Sequence, residues 1–201
     1  MNVHSSRSPA RRGRPAEGDK RRQILDAALR VFADRGYHGT AVPDVAKAAK
    51  VATGTLYHYF DHKEQLVNAV FVDAKQRLGA VLGEPIPWTG EKWFKELWRR
   101  LAAFARAEPD AFRFLEMQDH TPYLDAKSRA VELGVLAPLV ATGERLRAAR
   151  GGPPVDIAIA LLWGAFVGLT KAARFHYIKL DDKKLEQAAD ACWRMISPTK
   201  G

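Results

Sequence analysis

The sequence holds a single cysteine, Cys192. That excludes an intrachain disulfide and a cysteine-rich metal site, and it fits a reducing, cytoplasmic setting. No apolar stretch near the start has the form of a signal peptide. The longest apolar segment, residues 155–170, contains Asp156 and is short for a bilayer. It reads as a buried helix, so no membrane partner is expected. No Gly-x-Ser-x-Gly, phosphate loop or dinucleotide fingerprint occurs, and scattered carboxylates and histidines do not replace one. Neither enzyme activity nor a cofactor or metal is expected. Strand-length alternation and internal repeats are also missing, which points to an all-α chain.

Acid is in deficit as well: 23 Asp and Glu face 32 Lys and Arg, a net charge of +9 over 201 residues. The imbalance is uneven. Residues 1–63 carry twelve bases and six acids, a net of +6, and the remaining 138 carry twenty and seventeen, a net of +3. A basic first third points to a polyanion such as double-stranded DNA. With 47% hydrophobic residues, the chain has enough apolar surface for a sizeable core.

Residues 1–18, rich in Ser, Pro, Gly and Arg, are expected to form a disordered basic arm. Ile24, Leu25, Ala28, Leu29 and Phe32 then recur at helical spacing, with Asp19 as a cap and Gly36 as a left-handed stop. A short helix is expected over 41–49, capped by Thr40, and a third after the Lys50-Val51-Ala52 turn, through Phe60. Asp61 and Glu64 form a capping box for a fourth helix to about Leu82. Further helices are expected over 92–107, 109–119, 124–150, 154–178 and 182–196, with Pro138 kinking or splitting the long one.

The run Tyr57-His58-Tyr59-Phe60 is the most informative feature. At about 100° per residue, Leu56 and Phe60 fall together and face inward. Gly54, Thr55 and His58 fall on the opposite side, flanked by Tyr57 and Tyr59. Two short helices joined by a tight turn, the second showing small polar groups, form a helix-turn-helix. Gly54 and Thr55 admit the helix into a major groove, and Thr55 has the chemistry to contact a base edge. Tyr57, His58 and Tyr59 have the reach for phosphates, and Lys63 sits in the first turn of the next helix, an anion-binding position.

AALRVFADRGYHGT, the V-x-x-V-A-x-A-A-x-V run and GTLYHYFDHKEQL together resemble the DNA-binding domain of the tetracycline-repressor (TetR) family over about residues 20–72. The resemblance implies a homodimer that places two recognition helices in successive major grooves, and a C-terminal half that binds a small molecule releasing the DNA. It implies phosphate or base contacts for Thr40 and Tyr57, a phosphate contact for Lys63, and base reading from Thr53, Gly54 and Thr55. Where the family usually has Gly-Val-Ser in the turn, this chain has Lys50-Val51-Ala52. Lys50 is therefore expected to be left-handed, at about 1 kcal/mol, and to add a phosphate contact. Ala52 has no side-chain oxygen, so Thr53 is expected to take over the cap. In the arm, Arg12-Gly13-Arg14-Pro15 resembles an AT-hook core: Arg12 and Arg14 either enter a narrow minor groove or add nonspecific affinity.

On this reading the arm spans 1–18, the DNA-binding domain 19–66, and a helical ligand-binding and dimerisation domain 67–201. All five tryptophans lie in the last stretch. Trp98, Phe112, Leu115, Trp163 and Phe166 are candidates to line a cavity for an apolar or aromatic ligand, with Glu116 and His120 as polar groups. Glu116 and His120 also share a helix face, but two side chains are too few for a metal site, and a hydrogen-bonded pair is the simpler reading. Ala160, Gly164, Gly168 and Ala172 form a row at i, i+4 spacing that suits either an intrachain groove or a dimer axis. Cys192, Trp193 and Ile196 are further interface candidates. The function expected is a homodimeric repressor, cytoplasmic and nucleoid-associated, released from a palindromic operator by a ligand. The alternative is an architectural DNA-binding protein without ligand control.

Overall fold

The structure is a computed structural model and describes residues 17–117, 120 and 122–197. Its described residues form α-helices and connecting turns, with no strand among them. They are α1 (Glu17–Arg35), α2 (Val42–Ala48), α3 (Thr53–Tyr59), α4 (Lys63–Gly83), α5 (Gly90–Ala107), α6 (Pro109–Met117), α7 (Ala126–Arg150), α8 (Val155–Arg174) and α9 (Asp182–Ile196). The all-α expectation holds, and so do most of the expected spans.

The first three helices close around α1. Ile24, Ala28 and Phe32 recur every four residues and are fully buried, in one core with Val45, Ala46 and Ala49 of α2 and its turn, Leu56 of α3 and Phe60, the extended residue that ends α3. Each fully buried Leu, Ile or Phe side chain contributes about 1.5–3 kcal/mol. Those contacts, rather than intrinsic propensity, hold helices as short as α2 and α3. Gly36 ends α1 at φ 71°, where a Cβ is unfavourable.

α4 buries Leu66, Val67, Val70, Phe71, Ala74 and Leu78, and so joins the first three helices to the rest of the chain. At Gly79 a Cβ would stand 2.8 Å from a Val135 methyl, so glycine sets how closely α4 and α7 cross. Arg77 of α4 binds Asp73 at 2.6 Å, Asp26 of α1 at 3.2 Å and Glu108, between α5 and α6, at 3.0 Å. Arg22 of α1 closes the cluster on Asp26 and Asp73.

Several expected caps are placed differently. α1 already runs from Glu17, so Asp19 lies inside it. Ala41, not Thr40, caps α2, and the Thr40 hydroxyl instead donates to the Gly36 carbonyl at 2.7 Å. His62, not Asp61, caps α4: its Nδ1 accepts from the Gln65 amide at 3.1 Å, and the Gln65 side chain accepts from the Asp61 amide. The cap is therefore built one residue later from His and Gln, with the return bond reaching the residue before the cap rather than the cap itself. α7 continues through Pro138 without splitting. α8 ends at Arg174 rather than Ile178, because His176 turns left-handed at φ 61°. Its expected burial also fails: Val155 and Phe166 are the buried residues of α8, whereas Ile157 and Leu161 are about half exposed. The segment is apolar on faces that one chain leaves uncovered.

Candidate DNA-binding surface

α2 stops in a Schellman turn. The Val51 amide reaches back to the Ala46 carbonyl at 3.0 Å, and the Lys50 amide to Lys47 at 3.1 Å. This geometry requires a left-handed residue at position 50, and Lys50 takes it with φ 53°, as expected from the missing glycine. The Gln23 side chain of α1 donates to the Ala49 carbonyl at 2.7 Å and fixes the turn to the core. α3 then begins at Thr53, with Ala52 as its N-cap in extended conformation and no side-chain cap. Thr53 does not take over the cap. The Thr55 amide turns back to the Ala52 carbonyl at 2.9 Å, and the cap residue offers the first turn of α3 no side-chain acceptor.

Leu56 and Phe60 anchor α3 in the core, 1% and 2% exposed. Ala52, Gly54, Tyr57 and His58 are exposed, and Thr53, Thr55 and Tyr59 are partly so. A Cβ built at Gly54 meets no atom within 4 Å, so the protein presents open space there. His58 and Tyr59 meet edge to face at 5.3 Å. The helix thus shows the face that the sequence implies. Lys50 lies exposed beside it in the turn. Thr40 is 3% exposed and its hydroxyl is committed to the turn, so its side chain is removed from the surface. Arg12 and Arg14 lie outside the described residues.

Lys63 is held by the fold. Its Nζ lies 4.2 Å from the centre of the Tyr37 ring, a cation–π geometry. The Tyr37 hydroxyl donates to the Glu64 carboxylate. Burial, then the neighbouring Glu64, push the Tyr37 phenol up to about 12. The same hydrogen bond lowers Glu64 below the ordinary carboxylate range. At neutral pH the pair is therefore phenol and carboxylate, and Lys63 keeps a fixed place at the start of α4.

Tyr37 also stacks on Tyr123, with centroids 4.4 Å apart. Asn68, 6% exposed, donates to the Tyr123 carbonyl at 2.7 Å and accepts from the Asp125 amide at 2.9 Å. His120 is clasped between the Tyr123 hydroxyl at 2.6 Å and the Phe114 carbonyl at 2.9 Å. On α6, Arg113 donates to the Ala33 carbonyl of α1 at 3.0 Å. These long-range contacts escaped sequence reasoning. The signal available was Asn68, a polar residue inside the apolar run Leu66–Phe71.

The other candidates divide. Trp98 meets Phe166 edge to face at 5.1 Å, and Phe166 meets Phe112 at 5.6 Å, with Phe112 against Trp163 at 5.9 Å. These rings fill the space between their helices, and Leu115 is buried in the same core. Glu116 binds Arg174 at 2.7 Å and faces Thr170 at 3.4 Å. His120 has different partners, so the two do not form the pair their spacing suggests. No group of three or more metal-ligating side chains occurs among the described residues. A groove of about 430 Å³ lies between α5 and α9, with Trp98 in its lining. Ala160, Gly164 and Gly168 are exposed on α8 and Ala172 partly so, whereas Cys192 and Trp193 are 7% and 6% exposed inside the chain. Trp193 packs on Phe94, and Ile196 is half-buried beside the same core. Within one chain Cys192 and Trp193 are therefore core residues rather than surface.

Comparison with known proteins adds to this geometry. A family model of bacterial regulatory proteins of the tetR family matches residues 24–70. One for the tetracyclin repressor-like C-terminal domain matches residues 71–198. The HTH-type transcriptional regulator UidR of Escherichia coli strain K12 is 36% identical over 66 residues, 33% of this chain and 34% of UidR. The fatty acid metabolism regulator protein of Bacillus subtilis is 46% identical over 57 residues, 28% of each chain. The chain thus spans about a third of the length of the curated relatives it matches. Among solved structures, a TetR family transcription regulator from Marinobacter aquaeolei has a TM-score of 0.80 at 22% identity, covering 90% of this chain and 97% of that one. FadR from Bacillus subtilis in complex with stearoyl-CoA has a TM-score of 0.62 at 20% identity, covering 90% of this chain and all of that one. At these identities the structural likeness shows the fold.

Proposed function

The chain belongs to the tetR family of bacterial regulatory proteins, and from that premise we propose that it is a homodimeric transcriptional repressor released from its operator by a small molecule. The observation that carries the reading is α3: anchored by Leu56 and Phe60, it turns Gly54, Tyr57 and His58 outward. Thr53 and Thr55 read bases at its start, Tyr57, His58 and Tyr59 reach flanking phosphates, and Lys50 and Lys63 supply charge on either side. The Thr40 side chain holds the turn and makes no DNA contact. Arg12 and Arg14 either enter a narrow minor groove or add nonspecific affinity.

The exposed row Ala160, Gly164 and Gly168 on an apolar helix supports α8 as the dimer contact, since a second copy covers what one chain leaves open. An intrachain groove has no support at Gly164 or Gly168, because a Cβ there meets nothing within 4 Å. The dimer sets two recognition helices about one DNA turn apart. A ligand that favours another spacing lowers DNA affinity by its difference in affinity for the two states. Stearoyl-CoA in the FadR neighbour supports ligand control in this fold. α4 carries the change, because it packs against α1 and against α7.

Selection of bound duplexes from a random pool tests this. Recovery of a palindrome with half-sites about one turn apart is expected. Recovery of no sequence, with binding that fades as salt rises, supports instead an architectural DNA-binding protein.

A further inference from the structure

A lysine at the start of a helix is opposed by the helix dipole, which favours anions there. Lys63 nevertheless opens α4, and its ammonium forms no ion pair among the described residues. What it meets is a ring face, with Nζ 4.2 Å from the centre of Tyr37. The neighbouring carboxylate of Glu64 is engaged elsewhere, accepting from the Tyr37 hydroxyl and lying 3.3 Å from His62 Nδ1. The charge of Lys63 is thus open to an outside anion while its position is already fixed. A side chain ordered in advance loses less rotamer freedom when it meets a phosphate.

Tyr37 is itself held by a residue far along the chain. Its ring stacks on Tyr123, with centroids 4.4 Å apart. The Tyr123 hydroxyl meets His120 Nδ1 at 2.6 Å, and His120 Nε2 meets the Phe114 carbonyl of α6 at 2.9 Å. A carbonyl only accepts, so Nε2 carries the proton and Nδ1 accepts from the tyrosine. The imidazole lies 5.0 Å from the ring of Phe71 on α4 and 4.6 Å from that of Phe114. Asn68 fixes the Tyr123 backbone at 2.7 Å. Phe114, His120, Tyr123, Tyr37 and Lys63 therefore form an unbroken run of contacts from α6 to the ammonium.

From this run we infer that Tyr37 is a positioning residue for a Lys63 contact with DNA phosphate, and that Tyr123, between α6 and α7, sets the place of Tyr37. This rests on the reading of the chain as a DNA-binding regulator and adds a second route to the DNA beside α4. Phe112 of α6 packs on Trp163 and Phe166 of α8, so a shift of α6 against α8 reaches Lys63 through the two tyrosines. Contact alone does not establish coupling, which a double-mutant cycle measures directly.

The cycle uses the full chain and a duplex selected by the wild-type protein. Lys63→Met keeps the stem, removes the charge and should take about one unit from the salt slope of binding. Tyr37→Leu and Tyr123→Leu should each lower affinity about two- to fivefold, the worth of a cation–π contact, and should have no effect in the Lys63→Met background. Tyr37→Phe, which keeps the ring, should retain most of the affinity. A loss of folded protein common to both backgrounds cancels in the cycle. The wild-type protein supplies a second measurement: the ε-methylene protons of Lys63 should resonate upfield of an exposed lysine, under the Tyr37 ring, with or without DNA. Equal losses in the two backgrounds, an unchanged salt slope for Lys63→Met, or unshifted Lys63 protons overturns the proposal alone. Failure of the wild type to bind DNA overturns the premise and the proposal with it.

Discussion

The ring of Tyr37, in the turn between α1 and α2, stacks on the ring of Tyr123, just before α7, with centroids 4.4 Å apart and planes 24° from parallel. Tyr37 belongs to the DNA-binding half and Tyr123 to the other. Around them, Lys63 covers the Tyr37 ring, and Asn68 holds the backbone on both sides of Leu124. The two halves therefore share a seam of rings and buried hydrogen bonds, beside the Arg77 ion cluster.

Asn68→Leu should be costly for its size. It leaves the Tyr123 carbonyl and the Asp125 amide without the partner they have now, a penalty of about 1–3 kcal/mol for each group that stays buried. Urea unfolding should show the midpoint fall, while Asn68→Gln keeps part of the loss back. An unchanged midpoint in the leucine variant means the seam does not support the fold.

Lys50→Gly should stabilise the protein by up to about 1 kcal/mol, by removing the Cβ penalty at φ 53°. The flexibility of glycine in the unfolded chain offsets part of this. Lys50→Val should destabilise it. If Lys50 also touches a phosphate, the glycine variant gains thermal stability yet loses about one unit from the salt slope of DNA binding.

The carboxylate of Glu96, bound by Arg99 and Arg100, is held down at about 2 by those two guanidinium groups. Its folded value lies below its unfolded value. Its contribution to stability is thus complete above the ordinary glutamate range and is lost as pH falls toward about 2. Glu96→Gln should flatten that part of the stability curve, measured by thermal melting across acid pH. A wild-type acid dependence in the variant removes Glu96 as its source.

Gly168→Glu should separate the subunits. The position is exposed, and a Cβ there meets nothing within 4 Å in its own chain, so the monomer should fold normally. Sedimentation is expected to show the single-chain mass for the variant and twice that for the wild type. A variant that sediments as a dimer moves the interface off this row.

Much of this arrangement is written in local pattern. The spacing of Ile24, Ala28 and Phe32 gives α1, and the placement of Leu56 and Phe60 gives the orientation of α3, because burial follows helical period. The left-handed Lys50 follows from a turn that needs a positive φ and has no glycine. Capping was less legible, since Thr40 and His62 each had more than one backbone group within reach. The long-range pairs were illegible for a different reason. Nothing in local sequence brings Tyr123 to Tyr37 or places Glu116 beside Arg174 instead of His120. The exposure of α8 shows the same limit in reverse: an apolar helix reads as buried whether its cover is the same chain or another.

Gly54→Leu tests the central claim, that the outward face of α3 reads DNA. Open space surrounds position 54, and leucine is the better helix former by roughly 0.5–1 kcal/mol, so the variant should fold at least as stably as the wild type. Its affinity for a duplex selected by the wild-type protein should fall at least tenfold, about 1.4 kcal/mol, because the leucine occupies space that the groove edge needs. Wild-type affinity in a variant of unchanged stability contradicts the account and moves the DNA contact away from α3.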